Sequence, residues 1–128
     1  MDVLTHKMID KELCGRPLLI DNNYSKVELI TTQKMAVDVT GLVHGGFVFG
    51  LADYSAMIAV NHPNVVLGAA EVKFLKPVKC GEILVAEARA GEKEGKRQSV
   101  SVTVKNGDTE VFNGMFICFI LDKHVLIN

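Results

Sequence analysis

The 128-residue chain has only three cysteines, Cys14, Cys80 and Cys118, an odd number with no metal-like spacing. That leaves no disulfide framework and no thiolate metal site, and it fits reduced thiols in a cytoplasmic protein. The four histidines, His6, His44, His62 and His124, form no ligand cluster, so no metal is expected. A net charge of −1 gives no global field that would recruit nucleic acid or an anionic membrane, and neither is expected as a partner. No apolar run reaches spanning length, because the longest are interrupted by Asp53 or by Asn113 and Gly114. The first residues, MDVLTHKMIDKEL, mix charges every few positions and lack the apolar block of a signal peptide. Repeats, linkers and low-complexity stretches are also missing. The length suits one domain, 1-128, with a core of its own.

What is present is concentrated in residues 44–61, HGGFVFGLADYSAMIAVN. These read as a helix that is apolar or small almost all the way round, and such a helix must be buried on nearly every side. His44-Gly45-Gly46 opens it, and His62-Pro63-Asn64 stops it, since proline disfavours helix at the preceding residue. A single carboxylate, Asp53, sits at its centre. A lone carboxylate in such surroundings costs free energy unless it finds a partner. Bare N–H groups at a glycine-rich helix start favour negative charge. Together they point to an acid or nucleophile working opposite an oxyanion site. Small residues Gly46, Gly50, Ala52, Ser55, Ala56 and Ala59 are read as letting strands approach the helix closely, and Gly50 as a packing glycine.

Around the helix the pattern is of strands. Residues 1–13 are expected to form a short helix with Leu4, Met8 and Leu13 on one side, broken by Gly15-Arg16-Pro17. A first strand is expected at 25–32, with Val27, Leu29 and Thr31 alternating against Glu28 and Ile30. After Pro63, strands are expected at 66–77, 82–91, 98–105 and 109–121, the third facing inward through Gln98, Val100, Val102 and Val104. Glu94-Gly95-Lys96 and Asn106-Gly107-Asp108 are the hairpin turns. The last strand is apolar on both faces, which predicts a central strand or a subunit contact. The order predicts an α+β fold, an antiparallel five-stranded sheet wrapped around one long central helix.

The helix and the strands after it resemble the hotdog-fold acyl-CoA thioesterases, in particular the branch typified by the phenylacetate-pathway thioesterase. The match is carried by His44-Gly45-Gly46 followed by Leu51-Ala52-Asp53, and by Phe74-Leu75-Lys76-Pro77 at the end of the next strand. It runs from about residue 25 to residue 121. The resemblance implies that Asp53 is the catalytic carboxylate, as nucleophile or as base for water, and that the Gly45 N–H binds the thioester oxygen. Relatives that carry a small hydroxyl residue directly after the acid differ from this chain, which has Tyr54 there. Substrate-binding positions expected beside the catalytic pair are His44 and Gly46 at the helix start, Phe47, Phe49, Tyr54 and Met57 around the acyl group, and Lys76 towards coenzyme A. No cofactor is expected beyond the coenzyme A of the substrate.

Gly45 and Asp53 are eight residues apart, about 12 Å along one helix at ~1.5 Å per residue. A nucleophile and an oxyanion donor must both reach one carbon, so one copy of the helix cannot supply both. Two antiparallel copies about a two-fold axis can, which predicts a homodimer with sites across its interface, alone or paired into a tetramer. Two other readings stand beside hydrolysis. One is an acyl-CoA-sensing domain like that of the fatty-acid and phospholipid synthesis repressor, which binds the thioester without cleaving it. The other is a hotdog dehydratase or hydratase pairing His44 of one chain with Asp53 of the other.

Overall fold

A computed structural model describes residues 1–127. The elements run α1 (Lys11–Cys14), β1 (Arg16–Asp21), β2 (Tyr24–Ile30), a single 3-10 turn (Gln33–Met35), α2 (Gly45–Val60), β3 (Val65–Phe74), β4 (Ile83–Glu94), β5 (Arg97–Asn106) and β6 (Thr109–Ile120). The strands form one antiparallel sheet in the order β1-β2-β4-β5-β6-β3. The sheet curls around α2, giving the hotdog fold.

The alternation read from β2, β4 and β5 places their inner face. Val27, Leu29, Leu84, Ala86, Ala88, Val100, Val102 and Val104 are all buried, with Gln98 beside them. Gln98 stays buried because its amide donates to the Gly91 carbonyl and to Asn23 Oδ1. Gly95 and Gly107 take positive φ in the β4–β5 and β5–β6 hairpin turns, where a side chain would be strained. β6 lies between β5 and β3, a central position that matches its two apolar faces.

The sheet has six strands rather than five. The additional strand, β1, pairs only with β2, through a two-residue Asn22-Asn23 turn in which Asn23 adopts φ +57°. An edge strand tolerates Pro17, whose missing N–H would break a central ladder. The expected amphipathic helix over residues 1–13 shrinks to Lys11–Cys14, capped by Asp10, whose carboxylate accepts from the Glu12 and Leu13 N–H groups. Leu4 and Met8 are exposed, and His6 has φ +54°, which no helix admits. The N-terminal segment is instead tied to the far end of α2. There Asn61, the left-handed C-cap residue, accepts from the Leu4 N–H through Oδ1 and donates through Nδ2 to the Asp2 carbonyl.

α2 buries Val48, Leu51, Ala52, Tyr54, Ser55, Ala56, Met57, Ile58 and Ala59, as an all-round apolar helix should. One stripe stays open in the protomer. Gly46 is exposed, and Phe49, Gly50 and Asp53 are half-buried at spacings that put them on the same side of the helix. A Cβ built on Gly50 meets nothing within 4 Å, so strand packing within the protomer does not explain this glycine.

Candidate active site

The segment before α2 is pinned by three backbone bonds. The Val37 N–H donates to Leu42, Val43 to Val78, and His44 to Met35, each at 2.8 Å. His44 is the N-cap. Its Nδ1 accepts from the Gly46 N–H at 2.7 Å, and its carbonyl accepts from Phe47 at 3.0 Å. Among the described residues no acceptor is recorded for the Gly45 N–H, the first of the helix. A side chain at Gly46 would collide with the His44 ring, so this glycine makes the cap possible.

Gly45 lines a cleft of about 210 Å³ with Val43, Val48, residues 74–78 and Val111. A Cβ on Gly45 would lie 3.1 Å from the Phe74 ring. Phe74 is itself stacked edge-on against Phe112, with centroids 5.0 Å apart. Two turns along the helix, Asp53 Oδ1 is buried without a hydrogen-bond partner, the one such side-chain atom among the described residues. Burial pushes the Asp53 carboxyl from its ordinary 3.8 up to about 6. Its charge in turn helps hold the Cys118 thiol at about 12, behind the larger effect of burial.

The protomer brings Gly45, Phe74 and Lys76 to one cleft and places Asp53 elsewhere on the same helix. Phe47 is half-buried, edge-on to the His44 ring with centroids 6.2 Å apart. Phe49 rests on Phe116 at 5.4 Å. Tyr54 and Met57 are buried in the core, and Tyr54 lies beside His6 of the N-terminal segment, away from the cleft. Phe74 was visible in the sequence only as part of a motif; its contact with Gly45 follows from the turn after β3, which no periodicity reveals. Among the described residues no group of three His, Cys, Asp or Glu side chains is placed to hold a metal ion. No helix is long and apolar enough to cross a membrane.

Residues 40–112 match the family model of the thioesterase superfamily, and the chain belongs to that superfamily. A crystal structure of an uncharacterised Pyrococcus horikoshii protein is 53% identical, with a TM-score of 0.97 over 98% of this chain and 97% of that one. A methylthioribose-1-phosphate isomerase of Aquifex aeolicus is 49% identical over 123 residues, 95% of this chain but 27% of that protein. Transcription factor FapR of a Thermoanaerobacter species is 34% identical over 95 residues, 74% of this chain and 48% of that protein. The chain thus spans about a quarter to a half of the length of these two relatives. The PaaI protein of the Escherichia coli phenylacetic acid degradation operon shares the fold at 22% identity, with a TM-score of 0.80 over 89% of this chain and 84% of that one.

Proposed function

We propose that the protein hydrolyses acyl-CoA thioesters to the free acid and coenzyme A, with Asp53 of one chain facing the Gly45 N–H of a second. The observation that carries this reading is the buried, partnerless Asp53 oxygen on the one open stripe of α2. Such an atom costs about 1–3 kcal/mol or more unless something outside the protomer satisfies it. Gly46 and Gly50 on the same stripe let a second helix approach closely, and an antiparallel partner would bring its Gly45 opposite Asp53.

In that arrangement the thioester oxygen accepts from the Gly45 N–H at the positive end of α2, where the tetrahedral oxyanion is stabilised. Asp53 attacks the carbonyl carbon and expels the thiolate, leaving a mixed anhydride that water opens, or it takes the proton of an attacking water. With water opening the anhydride at the Asp53 carbonyl, a single turnover in ¹⁸O-water leaves the label on Asp53 and a protein oxygen in the product, an outcome that the general-base route cannot give. His44 holds the helix start through its cap to Gly46, and Lys76 supplies positive charge at the cleft mouth. Phe47, Phe49, Tyr54 and Met57 back the helix that carries both catalytic groups. With its three free cysteines, the protein suits the reducing cytosol.

Mixed dimers test the arrangement. Asp53→Asn and Gly45→Pro chains are each inactive alone. Unfolded together and re-associated, about half of the dimers are mixed, and each holds one intact site of two, so about a quarter of the wild-type activity returns. No recovery would refute a site shared between chains.

The likeness to FapR supports a second reading, binding without cleavage. Tight acyl-CoA binding with no thiol release, unchanged in Asp53→Ala, would establish it.

A further inference from the structure

We infer that the outer face of the sheet, where β5 and β6 run side by side, docks on the same face of a second copy of this chain, about a two-fold axis lying along the strands. This surface is on the far side of the sheet from α2 and uses neither Gly45 nor Asp53, so the inference stands apart from the thioesterase reading.

An antiparallel sheet with one covered face alternates apolar-in and polar-out. β5 obeys, turning Ser99, Ser101 and Thr103 outward. β6 does not. Its central place gives it two neighbours within the sheet but leaves its outward side bare, and there stand Met115, Ile117 and Phe119. Phe119 is used within the protomer, since its ring lies over Gly68 at the irregularity in β3, where a Cβ would collide with it. Met115 is 44% exposed and Ile117 is half-buried. They form an apolar ridge beside a trough of small hydroxyls.

The register then sets the flanking charges. Across β3, β6, β5 and β4, one outward row reads Glu71, Met115, Ser101, Arg89, and the next reads Lys73, Asn113, Thr103, Glu87. A two-fold axis in the plane of the sheet, between β5 and β6, lays β6 of one copy on β5 of the other, and β3 on β4. Met115 then sits over Ser101 of the second copy and Ile117 over Ser99, ridge into trough. Glu71 faces Arg89 and Lys73 faces Glu87, so every charge in both rows meets its opposite. Stacked sheets pack ~10 Å apart, a gap that such long side chains span from both sides. Among the described residues the recorded ion pairs are Arg89–Glu87 and Lys96–Asp122, which leaves Glu71 and Lys73 without an intrachain partner. A two-fold running across the strands would pair Glu71 with Lys73, but it would press the Ile117 ridge onto the charged Lys105–Glu110 row.

Sedimentation equilibrium tests this by counting chains in the wild type, in Ser101→Arg, and in a variant that swaps the two β3 charges, Glu71→Lys with Lys73→Glu. Joined by this face and by the α2 stripe, the wild type is expected to be a particle of four chains. Ser101→Arg fills the trough, halves the particle and leaves acyl-CoA hydrolysis per chain unchanged. The swap keeps composition and net charge but opposes like charges, and it should raise the dissociation constant of the sheet-to-sheet contact by at least about tenfold. Both of its positions are exposed, so the fold has little to accommodate. A particle whose mass Ser101→Arg leaves unchanged overturns the inference, and so does indifference to the swap. Halving from two chains to one would keep this surface and remove instead the α2 contact on which the shared site depends.

Discussion

His44 Nδ1 accepts the Gly46 N–H at 2.7 Å, and this contact sorts the two glycine amides at the start of α2. Gly46 serves the helix; Gly45 is left to serve a ligand. A histidine in this role is unusual, since Ser, Thr, Asp and Asn are the common N-caps. Replacing His44 by alanine removes the acceptor and is expected to cost about 1 kcal/mol of stability. His44→Asn, which can cap in the same way, should restore most of it. Thermal unfolding of the three proteins side by side checks this.

Gly45 permits a test that separates its amide from its small size. Proline is well accommodated at the first helical position, where its missing N–H breaks no intrahelical bond. His44, at φ −61° and ψ 130°, already has the extended backbone that a following proline requires. Gly45→Ala adds a Cβ near Phe74 but keeps the N–H. Gly45→Pro adds a Cβ and removes the N–H. If the amide binds the oxyanion, the proline variant should fall about 100–1,000-fold below the alanine variant in kcat. Equal rates would remove Gly45 from the chemistry.

Asp53 should trade stability for activity. Its carboxyl lies near 3.8 in the unfolded chain and is pushed up to about 6 by burial in the folded protomer. Between those values the folded state binds more protons than the unfolded one. Stability therefore falls as pH rises from about 4 to about 6, and the full cost, about 3 kcal/mol, is present above that. Asp53→Asn should abolish hydrolysis, by about 100–10,000-fold, yet unfold at a higher temperature at pH 8. Near pH 4 its advantage should vanish.

The same group sets the pH profile. Only the ionised carboxylate attacks or accepts a proton, so kcat/KM should climb about tenfold per pH unit below about 6 and level off above it. In Asp53→Glu any residual activity should follow a displaced midpoint. A wild-type profile flat from pH 4 to pH 8 would show that Asp53 does not titrate in the rate-determining step.

Much of the frame was legible because burial imposes a period. Val100, Val102 and Val104 alternate with Ser99, Ser101 and Thr103, and all three valines are buried in β5. The helix limits were legible because Pro63 and the glycines at 45 and 46 punctuate them. β1 was not, because Arg-Pro-Leu-Leu-Ile-Asp has no alternation and its burial pattern has none either; an edge strand answers to one neighbour only. The Asn22-Asn23 hairpin was the available signal. Asp53 and Gly45 stood out by chemistry and spacing. Phe74 did not, since its nearness to Gly45 depends on how the chain turns after β3, a long-range contact.

The placement of β3 also affects how the chain is made. It follows α2 directly in sequence, yet its only neighbour in the sheet is β6, the last strand. As the polypeptide leaves the ribosome, the greasiest helix and the strand after it emerge well before β4, β5 and β6, which must cover them. The nascent chain therefore carries a long, sticky, partly uncovered rod until β4, β5 and β6 have emerged, a window in which it is prone to aggregation and open to chaperones.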